Sequence, residues 1–227
     1  MMATFTALIF SVLVVPITSI DLHQFVQSES LTPYQDPWKF ISNRTDVYLS
    51  RVSVSPSLDP IPQPPCVRSR YWIASGGRVN RSLDIYNKTN ERSINISLTV
   101  VTEASHKLLD VDVKGQTPSI MSIPDMDISI SSNITGYTFL VLYSDANCLI
   151  LAETLQTAQI KKDYLRCWMW LRKSRIQRPP ICCEFIYTLL CLHAAADVPV
   201  FQPSCLLNKT DASPSSDGDT VTLALNS

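Results

Sequence analysis

The stretch Gly136 to Thr154, GYTFLVLYSDANCLILAET, limits the fold more than any other part of the chain. It reads as two strands, Gly136 to Tyr143 and Cys148 to Thr154, joined by Ser144-Asp145-Ala146-Asn147. Asp and Asn favour turns because their short side chains hydrogen-bond nearby backbone. Both strands are too apolar to lie flat on a solvated surface. Cys148 at the entry of the second strand offers a covalent anchor to whatever covers it.

The chain has 227 residues, a length suited to one domain with its own core. Charged residues make up 17% and the formal net charge is −1. Without a basic excess there is little to neutralise phosphates, which excludes an electrostatic nucleic-acid binder. The five Gly argue against glycine-rich phosphate loops, and the 15 Pro favour irregular connections.

Met1 to Ser19 carries no charged side chain, is almost wholly apolar and ends in small residues. It is short for a membrane span and reads as a secretory signal peptide rather than a buried helix. Six Asn lie in Asn-x-Ser/Thr sequons, namely Asn43, Asn80, Asn87, Asn95, Asn133 and Asn208, and are candidate glycosylation sites. All seven Cys follow residue 19: Cys66, Cys148, Cys167, Cys182, Cys183, Cys191 and Cys205. In an oxidising compartment they read as a disulfide framework with one thiol left over. No Cys-x-x-Cys pair occurs, and His23, His106 and His193 lack ligand spacing, so no metal site is expected.

Alternation marks the strands. Tyr48 to Val54 is the first, and Pro56 to Pro65, with five prolines, is an extended loop. Cys66 to Ser75 is a strand, Gly76-Gly77 a hairpin turn and Arg78 to Tyr86 the return. A glycan must reach solvent, so Asn80, Ser82, Asp84 and Tyr86 face out while Val79, Arg81, Leu83 and Ile85 face in. By the same logic Ile94, Ile96, Leu98 and Val100 face in on Ser93 to Val101. Leu108 to Lys114 sets Leu109, Val111 and Val113 against Asp110 and Asp112. Met126 to Ile130 and Tyr164 to Arg172 complete eight or nine strands, the pattern of an antiparallel sandwich or barrel.

One late element departs from this. Pro179 to His193 reads as a helix with prolines at its start. Cys182, Phe185, Ile186, Leu189 and Leu190 form one apolar face, flanked by a stripe of Cys183, Tyr187 and Cys191. The Ser/Asp/Thr-rich stretch 208–227 reads as a disordered tail.

A secreted barrel with a late helix is the lipocalin layout, and in detail the chain resembles the tick salivary lipocalins, the histamine-binding-protein-like family. The resemblance rests on Asp36-Pro37-Trp38-Lys39, Tyr48-Leu49, Cys66-Val67, Tyr143 to Cys148, Cys167 to Arg172, Cys182-Cys183 and Cys205. It implies a mainly β fold: an eight-stranded antiparallel barrel over 20–207 with a C-terminal α-helix, about 179–193, packed outside. It also implies disulfides: Cys66 with Cys205, Cys148 with Cys183 or Cys182, and Cys167 with Cys191. Of Cys183 and Cys182, the latter is expected to be the free thiol, because it lies on the apolar face of the helix and can be a small buried hydrophobe. Two departures stand out. The Gly-x-Trp of the wider lipocalin family is absent, and Trp168 replaces the acidic residue after the strand Cys.

A barrel of this size encloses one small ligand. If Cys167 points outward, Arg166, Trp168 and Trp170 face the cavity. Trp38, Trp72, Phe139 and Tyr143 are further candidates, although either face of the Gly136 strand can be the inner one. A cationic amine needs a buried carboxylate, for which Glu153, Glu103, Asp110 and Asp112 are available, whereas Arg81 or Arg166 suits an anionic lipid. The resemblance implies a secreted salivary scavenger of a host mediator, an amine or a lipid. The alternative is a lipocalin that inhibits a host defence protein through surface loops. No catalytic set, cofactor site, nucleic-acid partner or membrane partner is expected, and the chain is expected to be a monomer.

Overall fold

A computed structural model of the chain describes residues 32–56, 64–88, 90–103, 106–114, 136–153 and 165–207. The leader 1–19, the Met126 to Ile130 strand, Asn133, Asn208 and the tail lie outside these residues.

Among the described residues ten strands form one antiparallel sheet. They are β1 (Val47–Val54), β2 (Cys66–Ser69), β3 (Tyr71–Ser75), β4 (Arg78–Tyr86), β5 (Glu91–Glu103), β6 (His106–Lys114), β7 (Gly136–Ser144), β8 (Cys148–Glu153), β9 (Cys167–Arg172) and β10 (Ala196–Pro199). The order β1-β2-β4-β5-β6-β7-β8-β9 closes on itself because β9 also pairs with β1. This is an eight-stranded barrel. β3 carries the β2 line onward along β4, and β10 adds to β1 beside its short pairing with β2.

The second strand is not continuous as expected. It breaks at Arg70, whose N–H donates to Ser82 Oγ at 3.1 Å while its carbonyl accepts from Ser82 N–H at 2.8 Å. The register then shifts between Tyr71 and Ile73. Gly76 and Gly77 make the hairpin turn with φ of 58° and 76°. Both values lie in the left-handed region that a tight two-residue hairpin demands.

The expected inner faces of β4, β5 and β6 hold. Arg81, Leu83 and Ile85 point to the interior, as do Ile94, Ile96 and Leu98, and Leu109, Val111 and Val113. The outer face of β4 is covered instead of solvated. Asp84 is fully buried there, accepting from Arg70 Nε at 2.7 Å, Arg68 Nε at 3.1 Å and Ser93 Oγ at 2.7 Å. Burial pushes its pKa up, but these hydrogen bonds and the Arg70 charge outweigh that and hold the carboxyl below its usual range. Tyr86 is buried too, because its hydroxyl donates to the Cys205 carbonyl at 2.6 Å. The segment that covers it is held by the Cys66–Cys205 disulfide.

The β7–β8 hairpin forms as expected. Asp145 Oδ1 accepts from Asn147 N–H at 2.6 Å and from Cys148 N–H at 2.8 Å. These two bonds satisfy the turn. Alternation on β8 and β9 then serves two cores. Leu149, Leu151 and Trp168 enter the barrel. Cys148, Ile150, Ala152, Cys167, Met169 and Leu171 face out, onto the late helix. This is why both strands are apolar throughout.

That helix, α2 (Ile181–Cys191), follows a single helical turn, α1 (Trp38–Ile41). Cys148–Cys183 and Cys167–Cys191 bind α2 to the barrel wall. They also set its rotation. The buried face is Cys183, Tyr187 and Cys191, the stripe expected to be the flank, together with Leu190 from the expected apolar face. The expected apolar face is turned toward solvent at Cys182 and at Phe185, which is 63% exposed. Cys182 is the free thiol, but it is exposed and not buried. Two crosslinks to β8 and β9 outweigh the few side chains that the other rotation would bury.

Candidate functional site

The barrel interior holds a cavity of about 160 Å³. Phe40 and Ile41 of α1, with Val47 and Leu49, wall it where β1 begins. The turn α1 forms there because the Pro37 carbonyl accepts from Phe40 and Ile41 N–H, while Asp36 Oδ1 takes the Trp38 N–H at 3.0 Å. These contacts satisfy donors that a helix start leaves open. Leu83, Ile85, Ile94, Ile96, Leu98 and the inward residues of β6 form one side. Tyr137, Phe139, Leu149, Leu151, Trp168 and Trp170 form the other. Phe139 meets Trp168 edge to face at 5.1 Å and stacks on Tyr137 at 6.4 Å. Both are favoured ring geometries, so these side chains brace one another.

Arg81 is the one charged residue on this wall among the described residues, and it is 1% exposed. Its five N–H groups are all engaged. Nε donates to Ser69 Oγ at 3.0 Å. Nη1 donates to the carbonyls of Ile41 and Asn43, both at 2.9 Å. Nη2 donates to those of Thr45 at 2.8 Å and Ser69 at 2.9 Å. Burial pushes its pKa down to about 10, partly opposed by the Asp46 carboxylate, so it stays protonated at neutral pH. Arg81 therefore ties the segment after α1 to the β2–β4 wall. It has no donor left for a ligand carboxylate.

The residues expected around a ligand fall into three groups. Phe139, Trp168 and Trp170 line the cavity. Trp38 packs against the interior cluster, yet its neighbours Phe40 and Ile41 form the wall. The others stand elsewhere. Trp72 is 55% exposed on β3, with Arg70 over its ring at 5.8 Å, because it alternates with Val67, Ser69 and Tyr71, which face in. Tyr143 belongs to the outer core. A bulge between Val141 and Tyr143 inserts one residue into β7 and reverses the alternation there. Its hydroxyl donates to Asp145 Oδ2 at 3.2 Å. Arg166 and Glu153 pair with each other at 3.4 Å and neither lines the cavity.

The remaining candidate carboxylates are also away from it. Asp110 accepts from Thr138 Oγ1 at 2.7 Å on the outer side, Asp112 shares that face, and Glu103 is exposed at the β5–β6 hairpin. Tyr137, Phe40 and Ile41 were missed in the sequence. Tyr137 was readable in principle, since it lies two residues before Phe139 and so shares its face. The two α1 residues gave no such signal, because a single turn has no period to read.

Among the six sequons, Asn87 and Asn95 are exposed, and Asn43 and Asn80 are half-buried. Asn43 Oδ1 accepts from the N–H and hydroxyl of Thr45. No group of His, Cys, Asp and Glu among the described residues is arranged to hold a metal ion.

Among solved structures, the chain is similar to Japanin from Rhipicephalus appendiculatus bound to cholesterol, at 18% identity and a TM-score of 0.48, with 71% of this chain and 96% of that one covered. No curated protein sequence matches the chain significantly. A family model described as tick histamine binding protein matches residues 26–207, which spans the barrel, the outer helix and all three disulfides. With that match across the whole barrel, the chain belongs to the tick histamine binding protein family.

Proposed function

We propose that this chain is a secreted scavenger that takes up a small, uncharged and largely apolar molecule in its barrel. In the saliva of a feeding tick it would withdraw a host mediator by stoichiometric binding. The apolar leader, the sequons and the three disulfides support secretion. The observation that carries the ligand class is the cavity wall. No carboxylate lines it among the described residues, and its single cation has spent every donor. An ammonium placed there would be unpaired, at a cost of about several kcal/mol, and would meet the Arg81 charge. A ligand carboxylate would find no free N–H on Arg81. An uncharged apolar molecule meets neither penalty and gains from contact with Trp168, Trp170 and Phe139.

The test is a titration read by quenching of tryptophan fluorescence, with Trp168 and Trp170 on the wall as reporters. Neutral aromatic and terpenoid probes should saturate the signal. Histamine and serotonin should not, nor should oleate. Saturable micromolar binding of histamine, with no response to the neutral probes, overturns the proposal.

A protein-binding alternative has one observation in its favour. Trp72 and Ile73 are both more than half exposed on β3, which pairs only with β4 among the described residues. An open strand edge with a large aromatic is a site where another chain can add. If plasma proteins bind and no small molecule does, this reading replaces the first.

A further inference from the structure

Tyr137 lines the cavity on the inner face of β7, opposite Val111 of β6. Its hydroxyl is shielded from solvent and has no hydrogen-bond partner among the described residues. Among the described residues of the cavity wall it is the one side-chain polar atom that is both fully shielded and without a partner. A phenol left bare in an apolar pocket is a standing cost that a ligand oxygen can remove. The ring itself is fixed by its stack on Phe139, so the O–H is held in place before any ligand arrives. Burial pushes the phenol pKa up to about 12, which keeps it a neutral donor at any physiological pH.

We infer that Tyr137 is the specificity-determining donor of the cavity, and that the ligand is an apolar molecule bearing one uncharged oxygen acceptor, a ketone, ester, ether or alcohol. Tyr137 is the second residue of β7, near the strand end opposite to α1. The oxygen of the ligand therefore sits toward that end, with its apolar body directed at Phe40 and Ile41. The cavity measures about 160 Å³. An apolar cavity of about 150 Å³ takes benzene, so this one takes a body of one to two fused rings. This inference rests on the apolar-ligand reading above and adds the group that recognises it.

Calorimetric titration with indane and 1-indanone tests it, because the two share a skeleton and differ by a carbonyl oxygen. In the full disulfide-bonded chain both should bind. Tyr137→Phe should weaken 1-indanone roughly five- to tenfold, the usual worth of one buried hydrogen bond, and leave indane unchanged or tighter. Its Tm should equal or exceed that of the unmodified chain, since no native hydrogen bond is lost. If the substitution weakens both probes alike, or neither, the hydroxyl is not the anchor and the inference fails while the apolar cavity stands. If neither probe binds the unmodified chain, both readings fall. A drop of several degrees in Tm would mean that the hydroxyl has a structural partner, which also overturns the inference.

Discussion

Replacing Arg81 by Met separates a structural tie from a ligand anchor. The side chain is 1% exposed and makes five hydrogen bonds. Met keeps most of the length and loses all five donors. The bonds to Ile41 O, Ser69 O and Ser69 Oγ lie in buried surroundings. Each bare acceptor there costs about 1 kcal/mol or more. The carbonyls of Asn43 and Thr45 are partly buried and can recover water. Relief of the buried guanidinium offsets part of the loss. The net is about 3–5 kcal/mol, the range for removing one partner of a buried charged network. In a chain of this size each kcal/mol moves Tm by about 2–4 °C, so the midpoint should fall by roughly 6 to 20 °C. Arg81→Lys should recover less than half of that, because an ammonium cannot span carbonyls from residues 41, 43, 45 and 69. Differential scanning calorimetry and oleate titration, run on both variants, decide the matter. An Arg81→Met chain that melts like the parent but loses an affinity for oleate would show that Arg81 holds a ligand anion, contrary to the geometry.

Other expectations follow from the same structure. In denaturant titrations, removing Cys66–Cys205 by double Ser substitution should cost most. Its 139-residue span corresponds to about 5 kcal/mol of chain entropy, against about 3.4 kcal/mol for the 24-residue span of Cys167–Cys191. The reverse order would reject the loop-entropy account. A thiol reagent should label one residue per folded chain, Cys182, without denaturant, and label mapped to any other Cys would contradict the pairing. Tyr86, Tyr137, Tyr143 and Tyr187 are all pushed up, chiefly by burial, Tyr137 and Tyr143 to about 12, so absorbance titration should show four phenols ionising late. Each raises its folded pKa above the unfolded value, so the stability it brings is complete below pH ~10 and, for Tyr137 and Tyr143, is lost as pH climbs through ~12. Fewer than four late phenols would show one of these rings to be in contact with water.

Much of the barrel was legible because a strand buried on one face must alternate. Leu109, Val111 and Val113 against Asp110 and Asp112 could be placed directly, and the sequons fixed the sense of β4 and β5. The three disulfides were legible through the family resemblance and not through spacing. Legibility ended wherever a single backbone event reversed the period. The bulge before Tyr143 carried that ring out of the cavity and leaves no mark in residue type. Trp72 keeps the alternation of its strand, on the side opposite Val67, Ser69 and Tyr71.

Periodicity and cysteine content are local properties. Residue order alone therefore gives an antiparallel sandwich or barrel, a cysteine framework and a late helix, and the family resemblance singles out the barrel with the helix outside. The rotation of that helix belongs to the folded chain, since two crosslinks to adjacent strands outweigh the apolar stripe of an eleven-residue helix. The character of the cavity belongs there too. An inward Arg reads as a binding charge until its neighbours are known. Only folding brings the carbonyls of Ile41, Asn43, Thr45 and Ser69 to one guanidinium, consumes its donors and leaves the buried Tyr137 hydroxyl without a partner.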